Sequence, residues 1–513
     1  MEENKNVESN SKFDKFFGIS KEGSNVKTEI IAGIVTFLAM AYILTVNPNS
    51  ILYAGHAAGA VWSSIFIATA LGAVIGTLLM ALFAKMPFAQ ASGLGLNSSV
   101  GGLIGGGVGA FSTAYQFSLA NALLLVFISG VVFLVLSIVP IGKNKDTGAF
   151  ITLREKIFDG MPVAVRKAIS VGIGLFIAFI GMQNSNIIVD NEFTLVQLVS
   201  FTNANNWAVG GAARYAVVGL FSFLVIAILS HFKVKGAIII GILAATLLAW
   251  PLGVTSIDII AGNNADITWK FWENFAHFFD TAENGGVAFI LFTDGFKMPE
   301  GSFMTCLMTI VSFCMIDMFD TMGTTVGCAT NAGLIDEDGK PLNYNKIMIS
   351  DSIATCAGAV LGTSTVTTFV ESGAGIAAGG KTGLASLVTA ILFFLSIFLL
   401  PIFAFIPKAA CAGALMYVGV LMMSNVVDID FKNPLNSVPA FITVIAMPLA
   451  YSITTGIGLG IVTYVIINAC AWLVEYILYK TGKKSEKPTW NISIVCAVVF
   501  ALFLVYFLVP TSF

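Results

Sequence analysis

Residues 67–77 read IATALGAVIGT and residues 353–363 read IATCAGAVLGT, identical at eight of 11 positions. Both stretches lie inside apolar runs, and their place in the order of those runs decides the fold. Candidate spans are 28–52, 61–84, a short 88–101, 115–141, 163–188, 215–232, 235–254, 301–325, 346–363, a short 370–379, 382–405, 408–425, 436–452 and 455–479, which makes 14. The first copy falls in span two and the second in span nine. A displacement of seven spans is odd, so the copies cross the membrane in opposite directions, the inverted-topology plan of many secondary transporters. Ser92-Gly93-Leu94-Gly95 in span three matches Ser372-Gly373-Ala374-Gly375 in span ten, and Pro162 before span five mirrors Pro407 before span twelve. Short, glycine-interrupted segments at corresponding places in two halves point to a carrier's binding site, because broken helices leave backbone groups free there.

The composition requires a membrane. Of 513 residues, 57% are hydrophobic and 11% charged, where a soluble domain carries about 25% charged residues. Runs of about 20 apolar residues match about 30 Å of hydrocarbon, and they are continuous rather than alternating, which excludes a β-barrel. The 50 glycines suit close helix approach. Seven scattered cysteines form no CxxC or Cys/His cluster and read as small packing residues. A further apolar run, 490–510, either adds a span or lies along the interface. With the N-terminus in the cytoplasm, Lys143, Lys145, Arg154, Lys156, Arg166 and Lys167 and most other basic residues fall inside, leaving Arg214, Lys270, Lys297 and Lys408 outside. This is a positive-inside distribution. The expected fold class is an all-α polytopic membrane protein, multi-pass in the plasma membrane, with 14 transmembrane segments in a 7+7 inverted repeat.

A carboxylate within a span costs about 2.5–3.5 kcal/mol on insertion scales, so each needs a reason. Asp317 and Asp320 in span eight are three apart and share a helix face. Two like charges this close in low dielectric make the pair a site for binding and releasing a proton, unless they sit hydrated at the helix end. Glu371 starts short span ten. The β-branched run Thr365-Val366-Thr367-Thr368 suggests an extended lead-in, so a half-helix begins near Glu371 with its positive end at mid-membrane. Glu371 then either accepts a hydrogen bond from a ligand N–H or caps its own helix. Asn97 in span three offers both donor and acceptor, to a ligand or to a neighbouring helix. His56, His231 and His277 read as solvated loop residues, and Glu29 and Asp351 as interfacial anchors. No nucleophile–base pair, phosphate-binding loop or metal-ligand cluster is present in the sequence, which argues against an embedded enzyme, a cofactor or a nucleic-acid partner.

At these residues the chain resembles a known family. FDTMGTTVG (319–327), GTSTVTTFVESGAGIAAGGKTGL (362–384), TEIIAGIVTFLAMAYILTVNP (28–48) and GLGLN (93–97) are similar to the AzgA-like hypoxanthine/guanine/adenine permeases of the nucleobase-cation symporter-2 superfamily. The resemblance runs from about residue 13 to 480. It implies a UraA-like fold: a core domain of 28–141 with 301–405 (spans 1–4 and 8–11), and a gate domain of 163–254 with 408–479 (spans 5–7 and 12–14). Outside these lie a cytoplasmic tail 1–27, an external loop 255–300 and a C-terminal segment 480–513. The gate domain would be a homodimer surface. Substrate would lie between spans 3, 8 and 10, on Asp320, Glu371 and Asn97 with Ser372 and Gly373. Asp320, Glu371 and Asp317 would serve proton coupling, the proton being the coupling ion and no cofactor being needed. Phe319 or Phe369 would cover the face of the base. The chain departs from the family in having Ala91-Ser92-Gly93 where Ala-Pro-Gly is common, a glycine-rich 101–109 linker, and its own version of the 255–300 loop. The expected activity is import of purine bases by proton symport with an elevator-type movement. The alternatives are another nucleobase, such as xanthine or uracil, or a small anion on the same fold; a channel is a third class.

Overall fold

The computed structural model describes residues 12–52, 60–104, 117–143, 150–234, 236–261, 267–335, 341–483 and 485–508. His56 and most of the 101–109 linker lie outside them. Fifteen helices are numbered here: α1 (Val26–Ile51), α2 (Ala60–Leu79), α3 (Leu94–Ile104), α4 (Leu119–Ile138), α5 (Val163–Asn184), α6 (Ala212–His231), α7 (Ala237–Ala249), α8 (Phe303–Ala332), α9 (Tyr344–Leu361), α10 (Ser372–Ala377), α11 (Gly383–Ser396), α12 (Lys408–Met423), α13 (Pro434–Leu449), α14 (Ile453–Lys480) and α15 (Ile494–Leu508). Among the described residues nine helices are long and apolar enough to cross a bilayer, and Leu94–Ile104, Ala237–Ala249, Pro434–Leu449 and Ile494–Val505 are shorter apolar helices. Two strands, β1 (Gln90–Ser92) and β2 (Val366–Thr368), precede α3 and α10 and pair antiparallel.

The helices pack in two groups. α9 lies on α4 and α2, and α11 on α1 and α2. Separately, α5 packs along α12 and α13, α6 along α7 and α12, and α13 along α14. Pro162 and Pro407 are the N-caps of α5 and α12, where a missing N–H costs nothing and a preset φ favours the first turn. The 255–300 loop is ordered in part by Phe271–Phe278, a short helix that packs on α2 with Phe278 buried. α15 packs on α14 and on the short helix Leu153–Gly160.

The two sequence copies meet. α2 carries Gly72, and a Cβ there would sit 3.8 Å from Gly358 Cα of α9. At Gly358 a Cβ would lie 2.6 Å from Val366 Cγ2 and 2.9 Å from the Ser364 carbonyl oxygen. Gly358→Val is therefore expected to destabilise the fold by about 1–3 kcal/mol through overpacking. A lowered melting temperature of the purified protein checks this, with Gly323→Ala as the control, since nothing lies within 4 Å of a Cβ there.

Glu29 is not an interfacial anchor. It is fully buried and accepts hydrogen bonds from the backbone N–H of Lys381 (2.9 Å) and Thr382 (3.2 Å). The segment leading into α11 folds over it, so a carboxylate one turn into α1 serves as the acceptor for amides that would otherwise be buried without partners.

Candidate functional site

The site grows from the crossing of β1 and β2. Ala91 sits opposite Thr367, and the ladder continues through Gly93 N–H to Thr365 O (2.9 Å) and Phe369 N–H to Ala89 O (3.0 Å). Every residue of both strands is buried. Extended backbone deep in an apolar protein must find partners for its N–H and C=O groups, and each strand supplies the other's. This register differs from the Ser92-Gly93/Ser372-Gly373 match: Ser92 ends a strand, whereas Ser372 begins α10.

Past the crossing the chain opens a cleft. One side is formed by Gly93–Leu96, by Asp320 and Thr324 of α8, and by Thr368–Glu371; the other by Ile173 and Ile177 of α5, Val418 and Met422 of α12, and Ile453 of α14. The first side carries the cleft's polar side chains, Asp320, Thr324, Thr368 and Glu371, among apolar residues that include Ile316; the second is apolar throughout. Phe369, 5% exposed, is part of the cleft. The cleft volume is about 40 Å³, against about 300–1,000 Å³ for small-molecule pockets, so a cargo requires the two sides to separate.

Glu371 is the N-cap residue of α10 but makes no side-chain cap bond. Its Oε1 accepts instead from the Tyr42 hydroxyl at 2.5 Å. Tyr42 is buried at the junction between the two helical stretches of α1, Val26–Met40 and Ile43–Ile51. Asp320 has no hydrogen-bond partner among the described residues, so its carboxylate remains for whatever enters. Tyr42→Phe is expected to raise the KM for cargo about tenfold with little change in Vmax, the loss of one hydrogen bond to a charged group being worth roughly 1.5–3 kcal/mol. Initial-rate uptake over a range of concentrations checks it.

The other expected residues stand behind this wall. Asn97 Oδ1 accepts from Ser92 Oγ (2.9 Å) and, at closer range, from Ser364 Oγ, while its Nδ2 donates to Ser92 O (3.4 Å). It is fully buried and is not among the cleft residues. Ser372 Oγ accepts from the Ala89 N–H at 3.0 Å, and neither Ser372 nor Gly373 lines the cleft. Asp317, a turn before Asp320, is buried; Thr355 Oγ1 donates to its Oδ2 at 2.8 Å, and its Oδ1 has no hydrogen-bond partner among the described residues. Phe319 lines a neighbouring cavity rather than the cleft.

Asp351 corrects the reading from sequence. α9 begins at Tyr344, so Asp351 is two turns inside and fully buried rather than at an interface. It accepts from Gln90 Nε2 (2.6 Å) and Thr368 Oγ1 (3.3 Å) on Oδ1, and from Thr321 Oγ1 (2.8 Å) on Oδ2. Thr321 Oγ1 also lies 2.5 Å from Thr367 Oγ1. Asp351 thus ties α8, α9 and both strands together. Tyr42 and Gln90 were detectable only as polar atoms in apolar runs, which signal a partner without naming it.

With this geometry the chain can be set beside known proteins. The profile of the permease family Xan_ur_permease matches residues 27–459. The chain belongs to this family. The permease is 33% identical to the adenine permease AdeP of Escherichia coli over 459 residues, covering 89% of this chain and 90% of that protein. It is 34% identical to the guanine/hypoxanthine permease PbuG of Bacillus subtilis, covering 89% and 93%. Among solved structures it resembles the transmembrane domain of the cyanobacterial bicarbonate transporter BicA, with a TM-score of 0.55, 15% identity, and coverage of 84% of this chain and 97% of that one. At that identity the likeness speaks to fold alone. The permease is a multi-pass membrane transporter and not an enzyme.

Proposed function

We propose that this permease imports purine nucleobases (adenine, guanine and hypoxanthine) across the plasma membrane by proton symport. The observation that carries the reading is the pairing of Asp320 and Glu371 on one side of a cleft that is aliphatic on the other. A purine is flat and edged with N–H donors, which carboxylates accept, while its faces suit apolar cover from Phe369 and the opposite wall. Relatives whose names specify adenine or guanine and hypoxanthine support the cargo class.

The architecture we propose is 14 spans in a 7+7 inverted repeat, with spans three and ten each an extended strand and a half-helix. The core is 28–141 with 301–405, the gate is 163–254 with 408–479, and the N-terminus is cytoplasmic. Contact of Gly72 with Gly358 and the antiparallel strand pair support the repeat. The narrow cleft between the two helix groups supports transport by core movement against the gate, whose outer face would also form a homodimer. Asp320 and Glu371 contact the base, and one of them, or Asp317 with its unmatched oxygen, carries the proton; no cofactor is required. Protonation offsets the cost of moving a buried anion.

Uptake of labelled adenine, hypoxanthine, guanine, xanthine and uracil into cells lacking their own base permeases tests the reading. Saturable purine uptake abolished by a protonophore is expected. No uptake of any base with the protein at the surface overturns it, and protonophore-resistant uptake removes proton coupling alone. The second reading, an anion carrier on the same fold, is disfavoured because two carboxylates in the cleft would repel an anion.

A further inference from the structure

The N-terminal segment folds back onto one end of the bundle. Phe17 and Ile19 are buried against Leu384 of α11, with Leu387 and Val388 of the same helix packed around them. This contact carries Lys15 and Lys21 to two further lysines, Lys85 after α2 and Lys381 before α11. The four line one cavity of about 230 Å³, together with Phe16, Glu22 and Asn343. No residue of α5–α7 or α12–α14 is in the lining, so the cavity belongs to the helix group that holds Glu371 and Asp320.

Lys85 is already engaged: its Nζ donates to the Phe16 carbonyl oxygen at 2.9 Å and stands 4.4 Å from the centre of the Phe16 ring. Among the described residues, the Lys15, Lys21 and Lys381 ammonium groups make no ion pair, and Glu22 is the carboxylate in the lining. Asp14, on the same short helix as Lys15, accepts from Ser20 on both oxygens, from the N–H at 2.8 Å and the hydroxyl at 2.6 Å. Lysines retained on one side by topology alone can stand apart in water. Here a folded segment gathers four of them into one cavity, where like charges repel and an anion would relieve them.

The cavity also lies at the edge of the hydrocarbon. The span that contains α2 ends at Ala84. Leu82 and Phe83 on its last turn are 45% and 43% exposed, and apolar groups exposed on a span face acyl chains. Lys85 follows directly, and Phe16, in the cavity lining, is 46% exposed. A ligand matched to this whole surface carries an anion on an acyl body. Soluble phosphate would use the cations and leave the apolar groups bare.

We propose that this cavity binds the headgroup of an anionic phospholipid, whose acyl chains run along Phe16, Leu82 and Phe83. The basic distribution assigns the site to the cytoplasmic leaflet, where anionic headgroups attract basic segments at the membrane surface. Each lysine near such a headgroup strengthens attachment about fivefold. The site makes no use of the cleft or its cargo, so failure of purine uptake would leave it standing.

The test uses the full chain in a neutral detergent and reads thermal stabilisation as phosphatidylglycerol, phosphatidylcholine, glycerol 3-phosphate or inorganic phosphate is added. Phosphatidylglycerol is expected to act at a concentration at least tenfold below each of the others. In Lys15→Gln/Lys21→Gln/Lys381→Gln, its half-maximal concentration should rise about 100-fold, at about fivefold per lysine. That variant spares Lys85, and the Lys381 backbone N–H keeps its bond to Glu29. Lys21→Glu, at an exposed position, is the milder variant and should cost at least fivefold. Lys480→Gln/Lys483→Gln/Lys487→Gln removes equal charge from exposed positions elsewhere and should stay within about threefold of the parent. Equal potency of phosphatidylglycerol and phosphatidylcholine in the parent overturns the proposal, as does a preference that survives in the Lys15/Lys21/Lys381 variant. An equal loss in the Lys480/Lys483/Lys487 variant assigns the effect to net charge and overturns it too. If glycerol 3-phosphate or inorganic phosphate matches the lipid, the cavity is a site for soluble anions and the lipid assignment falls.

Discussion

Glu371→Gln should raise the KM for purine uptake by roughly 30- to 1,000-fold, corresponding to about 2–4 kcal/mol for a charge-assisted hydrogen bond lost and a donor left facing a donor. The substitution is nearly isosteric, so packing is spared. The amide oxygen can still accept from Tyr42, which uses Oε1 at 2.5 Å. That assignment turns the other end of the amide, an N–H₂ group, toward the cleft, where the cargo also presents N–H. Surface expression should be unchanged, and initial-rate uptake normalised to surface protein makes the measurement. A variant with parental KM would mean that Glu371 does not touch the cargo. Glu371→Asp, one methylene shorter, loses reach to Tyr42 and should fall between the two.

Asp351→Asn is expected to damage the fold rather than the affinity. The parent carboxylate accepts from Gln90, Thr368 and Thr321 and is fully buried. An amide there must point its N–H₂ either at the Gln90 amide or at the Thr321 hydroxyl. Leaving a buried donor facing a donor costs about 1–3 kcal/mol, a large share of the stability of any domain. The check is yield and melting temperature in detergent, with Asp258→Asn at an exposed position as the control. Full stability with lost transport would instead place Asp351 in the transport cycle.

Much of this was legible in the sequence because it depends on local pattern. Apolar run length set the helices, the near-copies at 67–77 and 353–363 pointed to the two that touch, and a carboxylate in an apolar run marked Asp320 and Glu371. What escaped depends on long-range pairing. Tyr42 reaches Glu371 across 329 positions and Gln90 reaches Asp351 across 261, and no spacing rule announces either. Hydropathy also assumes that charge near the end of an apolar run meets water; here the segment leading into α11 covers Glu29, and Asp351, two turns inside α9, is enclosed by both strands and α8. Asn97 was identified as polar and central, yet its donors and acceptors turn toward Ser92 and Ser364. The sequence match of Ser92 with Ser372 was blind to strand register, which is fixed by hydrogen bonding rather than by residue identity.

The aliphatic wall of the cleft carries a mechanical consequence. Ile173, Ile177, Val418 and Ile453 have no hydrogen-bonding side-chain groups and the Met422 thioether is only a weak acceptor, while the strands opposite are hydrogen-bonded to each other. Slippage along this surface breaks no directional bond at these positions and exchanges only dispersion contacts, each worth about 0.1–0.2 kcal/mol. In the core movement proposed above, this wall would serve as a dry bearing, its friction set by side-chain bulk and temperature and nearly indifferent to salt.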